Sequence, residues 1–281
     1  MNYRHIPPSA AVSRFVEFYW TLEGTSFTDT IQRIIPDGRA GLILNFADPF
    51  ESYSRGAWRR QPQSFFVGQI TGPLLLRPSG PAAMLGIQFR PHGAAQLLRL
   101  PVRELNDVAV PLVDLCPRLF RQLEESRDFE NPGEAIAAVE RAFRYLAERC
   151  PPSEVPLDYA IGVLDRTRGL MRLRHLAQQI GWSSRQLQRR FKDAVGISAK
   201  LFARMQRFQT ILHATDASAP NWVVAALDSG YYDQSHLIRD FREFAGKTPT
   251  ALLDEEIDLT RQFIRNREMS HFSKTQATTV R

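Results

Sequence analysis

The sequence predicts an α+β protein of two domains. An N-terminal β-rich, barrel-like domain with following helices precedes a C-terminal all-α module of two helix-turn-helix units joined by a linking helix. Three observations predict this. The first ninety or so residues are short β-rich runs punctuated by Gly and Pro. "PPSEVP" at 151–156 interrupts the chain as a proline-rich linker. Beyond it, "LQRRFKDAVGIS" (Leu187 to Ser198) returns fifty residues later as "LIRDFREFAGKT" (Leu237 to Thr248), both reading L-x-x-x-F-[KR]-x-x-x-G-x-[ST]. The boundaries that follow are 1–150, a linker at 151–156, a helical module at 157–253 and a polar, charge-balanced tail at 254–281.

In the first domain, "IQRIIPDGRAGLILNF" (31–46) is two β-rich runs around a Pro-Asp-Gly turn, which predicts a hairpin. "SFFVGQI", "PLLLR" and "AAMLGIQFR" predict further strands. The period changes at Pro91. "HGAAQLLRL", "PLVDLCPRLFRQLEES" (111–126) and "NPGEAIAAVERAFRYLAER" (131–149) are predicted helical, the last with Ile136, Val139, Ala142, Phe143 and Leu146 on one face.

In the module, "LRHLAQQIG" predicts a short helix ending at Gly181, since glycine enters the left-handed backbone conformation of a helix end without steric penalty. Ser183 then caps the next helix, and Gln186 completes a capping box. "VVAALDSG" ends in the same way at Gly230, and Asp233 is the cap that follows. Helix, glycine turn and capped helix make a helix-turn-helix unit. Leu187, Phe191, Ala194 and Val195 form one apolar stripe, and Leu237, Phe241, Phe244 and Ala245 its counterpart. "SAKLFARMQRFQTILH" (198–213) predicts the linking helix, capped by Ser198, with Leu201, Met205, Phe208 and Leu212 in the core. Sixteen residues span about 24 Å. With the flanking units this sets the two capped helices roughly one DNA turn apart, about 34 Å.

Charge is distributed to match. The net charge is +6, yet residues 1–170 hold 19 basic and 19 acidic side chains, and 251–281 hold five of each. The excess lies in 171–250, with twelve basic against six acidic, and 171–209 carries nine basic residues against Asp193 alone. The outward stripe of the first capped helix is Arg185, Gln188, Arg189 and Lys192. Arginine pairs with guanine and glutamine with adenine, while a lysine further along meets phosphate. The matching set in the second is Ser235, Ile238, Arg239 and Arg242, with Gln234 and His236 at the helix start. Arg172 and Arg174 suit phosphate better than bases. His236 admits a groove contact or a polar role beside the cap. Arg204 and Arg207 admit salt links or phosphate proximity. Trp182 and Tyr231 are expected to pack.

Other chemistries find little support. Cys116 and Cys150, the only two cysteines, follow no metal or redox spacing, so a cytoplasmic, disulfide-free chain without metal or cofactor is expected. His5 and His92 stand 87 residues apart with no His-x-His pair, and no phosphate loop, dinucleotide fingerprint or G-x-S-x-G elbow occurs, so no catalytic residue is assigned. Arg90 suits an acidic effector or a nearby carboxylate equally. The longest uncharged stretch, Gln61 to Leu76, has 16 residues broken by Gly68, Gly72 and Pro73, too short to span a membrane.

At "GWSSRQLQRRFKDAVGISAKLFARMQRF" and "DSGYYDQSHLIRDFREFAGKTP" the sequence resembles the AraC/XylS family of bacterial transcription regulators. The likeness covers about 160–253, with Ala199 where the family has proline, and Leu252 and Leu253 where it has an aromatic and an arginine. "RIIPDGRAGLILNF" and "LGIQFRPHGAAQLL" are more weakly similar to sensor-like N-terminal domains of one branch. The resemblance implies double-stranded DNA as partner, with base-reading positions at Arg185, Gln188, Arg189, Gln234, Ser235, His236 and Arg239. It also brings RNA polymerase, a small effector and a homodimer into view as partners, with the effector site unknown.

Overall fold

Strands that alternate apolar residues between two faces need two partners, and the N-terminal domain supplies them. A computed structural model describes residues 2–25, 31–124, 132–215, 226 and 229–253. Its larger sheet runs β1 (Asn2–Ile6), β2 (Val16–Gly24), β9 (Ala82–Phe89), β4 (Gly41–Asn45), β7 (Ser64–Val67) and β10 (Ala109–Pro111). The smaller runs β3 (Gln32–Ile34), β8 (Leu74–Arg77), β5 (Glu51–Ser54) and β6 (Ala57–Arg60), and every pairing is antiparallel.

Register fixes what each face does. Leu22 opposes Met84, Trp20 opposes Gly86 and Ile43 opposes Gly86 from the other side, so these residues share one face. That face looks across at the smaller sheet over a cavity of about 620 Å³. The other face carries Tyr19, Leu85, Ile87 and Phe89 into a core with Val139 and Phe143 of α4 (Pro132–Ala147). Phe89 and Phe143 meet with ring centroids 5.8 Å apart, and truncating such a phenylalanine costs about 3–5 kcal/mol. Three shorter helices, α1 (Gly93–Leu98), α2 (Leu112–Leu115) and α3 (Pro117–Glu124), complete the layer. The run expected helical over 111–126 breaks at Cys116, because Pro117 cannot donate to a continuing ladder and starts a new helix instead. Both cysteines are free thiols.

The C-terminal helices are α5 (Val155–Arg166), α6 (Leu173–Gln179), α7 (Ser184–Val195), α8 (Ala199–Thr215), α9 (Gln234–Phe244) and α10 (Pro249–Leu253). Helix α5 begins inside the proline-rich segment, with Pro156 in its first turn, where a missing N–H costs nothing. Phe202 of α8 packs on Phe191 at 5.3 Å, and Phe208 packs on Phe241 at 4.8 Å, so one linking helix buries both apolar stripes. Leu187, Phe191, Val195, Leu237, Phe241, Phe244 and Ala245 are buried as expected, while Ala194 is half-buried. In the linking helix, Met205, Phe208 and Leu212 are core and Leu201 is half-buried. Most of the helix expected in "VVAALDSG" and the tail 254–281 lie outside the described residues.

The hairpin expected over 31–46 does not form. Strand β3 pairs with β8 and β4 with β9 and β7, so Pro36-Asp37-Gly38 crosses between sheets. What holds it there is the other domain. Gln209 Nε2 of α8 donates to the Pro36 carbonyl at 2.7 Å and Gln206 Nε2 to that of Asp37 at 3.2 Å. Gly38, at φ +80°, lets the backbone run against the Phe202 ring, where a Cβ would stand 2.8 Å from a ring carbon. Ile35 enters the core of the helical module. A turn motif that reads locally as a hairpin is here satisfied by a long-range partner.

Candidate nucleic-acid interface

Each helix-turn-helix unit is built by local hydrogen bonds. After α6, the N–H of Gly181 donates to Gln178 and that of Trp182 to Ala177, with Gly181 at φ +69°, the Schellman ending that orphaned carbonyls require. The N–H of Gln186 donates to Ser183 Oγ at 3.2 Å and the N–H of Ser183 to Gln186 Oε1 at 2.8 Å, which is the expected capping box. In the second unit the N–H of Tyr231 donates to Ala226, Gly230 has φ +75°, and the N–H of His236 donates to Asp233 Oδ1 at 2.7 Å. Leu201 N–H donates to Ser198 Oγ at 3.1 Å, capping α8.

The two turns differ in length. One residue separates Gly181 from Asp233's counterpart Ser183, whereas Tyr231 and Tyr232 separate Gly230 from Asp233. The added Tyr232 is 90% exposed beside the start of α9, a feature the repeat motif does not reveal.

On α7, Arg185, Arg189 and Lys192 are exposed and Gln188 is half-buried, all on the side away from the Leu187–Phe191–Val195 stripe. On α9, Gln234, Ser235 and Arg239 are exposed, and Ile238 is half-buried. His236 is half-buried with its ring edge-on to Tyr231 at 5.0 Å, while its backbone serves the cap. The structure thus gathers four predicted side chains on one face of α7 and four in the first two turns of α9.

The basic excess of 171–209 divides sharply. Arg190 pairs with Glu154 and lies over the Trp182 ring at 4.9 Å. Arg207 Nη1 donates to the Gly169 carbonyl at 2.7 Å. Arg204 Nη2 reaches Asp240 Oδ1 and Glu243 Oε2, each at 2.6 Å. Asp240 is buried and also accepts from Tyr231 Oη at 3.0 Å. Burial and the Asp240 carboxylate push the Tyr231 hydroxyl far above the ordinary phenol range. Arg204 thus makes the salt links expected of it, whereas Arg207 binds a backbone carbonyl. The outward cations are Arg172, Arg174, Arg185, Arg189, Lys192 and Lys200.

Sequence reasoning missed the network between the domains. Arg39 is buried and pairs with Glu17 of β2 and, at 3.3 Å, with Asp165 of α5. Burial works to lower its pKa, but Glu17, Asp165 and Asp37 together hold it above the ordinary arginine value. Arg90 Nε donates to the Ser13 carbonyl at 2.6 Å, a backbone partner that neither alternative offered for it named. No residue pattern near Arg39 or Arg90 marks these partners.

Comparison with known proteins gives two family matches. Residues 4–111 match a domain of unknown function, DUF6597, and residues 176–255 match a helix-turn-helix domain. No curated protein matches the chain. Among solved structures, ToxT from Vibrio cholerae is 12% identical with a TM-score of 0.45, over 84% of this chain and 97% of its own. ToxT with an unsaturated fatty acid bound is 11% identical with a TM-score of 0.42, over 83% and 96%. The AraC-like transcriptional activator CuxR is 13% identical with a TM-score of 0.27, over 81% and 90%. The chain thus carries an AraC-type helix-turn-helix domain at residues 176–255, set behind a DUF6597 domain.

Proposed function

We propose that the protein is a cytoplasmic, sequence-specific transcription regulator that reads double-stranded DNA with α7 and α9 and is modulated by a small effector in its N-terminal domain. One observation carries the reading: two capped helices, buried by the same linking helix, each turn exposed polar side chains outward over their first turns. Arg185, Gln188 and Arg189 take base edges in the first groove segment, and Gln234, Ser235, His236 and Arg239 in the second. Lys192 takes phosphate. Residues 157–253 form the DNA-binding domain and 1–150 the sensing or dimerising one, with RNA polymerase and a second copy of the chain as further partners.

The inter-sheet cavity is the effector site in this reading. Its volume of about 620 Å³ lies in the range, roughly 300–1,000 Å³, that encloses small ligands. Phe18, Trp20 and Phe50 wall it and are buried, whereas Arg55 and Arg59 line it at its exposed side. Asp48 is paired with Arg60 at 3.0 Å, and no described residue engages Arg55 or Arg59. Apolar walls with arginines at the rim favour an effector with an apolar body and an acidic group.

Selection of random DNA by the full-length protein, followed by footprinting, tests the function. The expected outcome is a motif of two blocks about one helical turn apart, roughly 10 base pairs. Selection that returns no motif would overturn it.

A further inference from the structure

Both recognition helices end on the same piece of the N-terminal domain. At the end of α7, Asn106 Nδ2 donates to the Gly196 carbonyl at 2.8 Å. At the end of α9, Arg33 Nη1 donates to the Ala245 carbonyl at 3.0 Å, in a buried setting. Gly196 and Gly246 are the repeated glycines of the L-x-x-x-F-[KR]-x-x-x-G motif, so the two anchors lie within one residue of each other in the duplicated frame: one on Gly196 itself, the other on Ala245 just before Gly246. The segment between β7 and β8 touches both. A Cβ built on Gly196 would lie 3.4 Å from Gln69 Cγ, and one built on Gly246 would lie 3.2 Å from Pro73 Cγ. Gln69 and Pro73 are four residues apart, and the loop is itself held where Asp107 accepts from the N–H and hydroxyl of Thr71, each at 2.6 Å.

We infer that Asn106 and Arg33 are positioning residues that fix the spacing and rotational phase between the two recognition helices, and hence the distance between DNA half-sites the protein accepts. The inference rests on the proposed DNA reading by α7 and α9. The physical case is that last-turn carbonyls are the unsatisfied groups of a helix, so a donor from a second domain holds each rod by its end while leaving its amino-terminal turns free. Helix α8 joins the units through apolar packing, which tolerates small rotations, and through Arg204, whose ion pairs reach Asp240 and Glu243 of α9. The hydrogen bonds from Asn106 and from Arg33 of β3 resist such rotations, because they are directional and start from a second domain. Neither residue faces the outward stripes, so neither has a route to discriminate bases.

The test uses the full-length protein and its selected site, rebuilt with spacers one and two base pairs shorter and longer. Asn106→Ala and Arg33→Met are compared with wild type on this series and on a single isolated half-site. Wild type is expected to prefer its own spacer; each variant is expected to flatten that preference by about two- to tenfold, the worth of one hydrogen bond. Affinity for the single half-site is expected to stay within about twofold, because one hydrogen bond lost far from the outward stripes leaves the base contacts in place. Arg33→Lys, which retains a donor, is expected to recover the preference. Should Arg33→Met lose its thermal transition, Asn106→Ala and Asn106→Ser at the more exposed anchor decide the matter. An unchanged spacer profile in a folded variant overturns the inference, as does equal loss on the single half-site. Absence of specific binding by wild type would instead remove the functional reading beneath it.

Discussion

Arg39 and Asp165 meet at 3.3 Å across the boundary between the domains, while the same guanidinium binds Glu17 of β2. Arg39 and Glu17 side chains are each 1% exposed, whereas Asp165 is 18% exposed. Removing one member of a buried pair strands the other charge, which costs about 3–5 kcal/mol. Arg39→Met is therefore expected to lower stability by that amount, and Asp165→Asn by about 1 kcal/mol, since water screens the more exposed partner. Urea midpoints at constant m-value measure both. Equal losses would mean that the contact across the domain boundary, not the pair within the sheet, carries the energy.

The second unit depends on a buried acid. Asp240 accepts from Arg204 at 2.6 Å and from Tyr231 at 3.0 Å, while Glu243 shares Arg204 from a more exposed position. Asp240→Ala is expected to cost about 2–4 kcal/mol, Tyr231→Phe about 1 kcal/mol, and Glu243→Ala less than about 1 kcal/mol. Thermal unfolding of the three variants gives the order. A Glu243 variant weaker than the Asp240 variant would contradict it.

How much of this was legible depended on sequence distance. The caps at Ser183, Ser198 and Asp233 and the glycine turns at Gly181 and Gly230 bond within five residues, so short windows contain both partners. Arg33 and Ala245 are 212 residues apart, and nothing in either neighbourhood points to the other. The Pro36-Asp37-Gly38 segment misled for the same reason. Its turn chemistry is genuine, but its carbonyls are claimed by Gln206 and Gln209, whose glutamine spacing reads as ordinary helix surface. The outward basic stripe of α7 was legible because helical period separates it from the apolar one. That Arg190, Arg204 and Arg207 are held by partners within the protein was not, since a charged residue at an intermediate helical angle can take either side.

Acid should loosen the seam between α1 and α5. His92 Nε2 stands 2.7 Å from Asp158 Oδ1, but burial pushes the imidazole below its ordinary value of 6.5. The Asp158 carboxylate opposes that shift and Arg90 adds to it. A histidine with a depressed folded pKa favours the folded state above the unfolded pKa and loses that advantage as pH falls. Stability is thus expected to be level above about pH 6.5 and to decline below it through this group. His92→Gln is expected to flatten that part of the profile. A His92→Gln variant with the same slope between pH 6.5 and 5.5 would place the titrating group elsewhere.

Arg189 and Lys192 occupy successive turns of one exposed face and are expected to fail differently. Arginine at the helix start can grip a guanine edge through two hydrogen bonds, so Arg189→Ala should cost about 1–3 kcal/mol on the selected site and relax one base position. Its affinity for random DNA should change little. Lys192, a turn further along, offers a point charge to phosphate, so Lys192→Ala should weaken selected and random DNA alike. Neutralising one phosphate contact should also reduce the slope of log K against log salt by about 0.9. Titrations at several salt concentrations on both DNAs separate the two patterns. If Arg189→Ala weakens random DNA as much as the selected site, Arg189 touches only the backbone, and base reading by α7 shifts to Arg185 and Gln188.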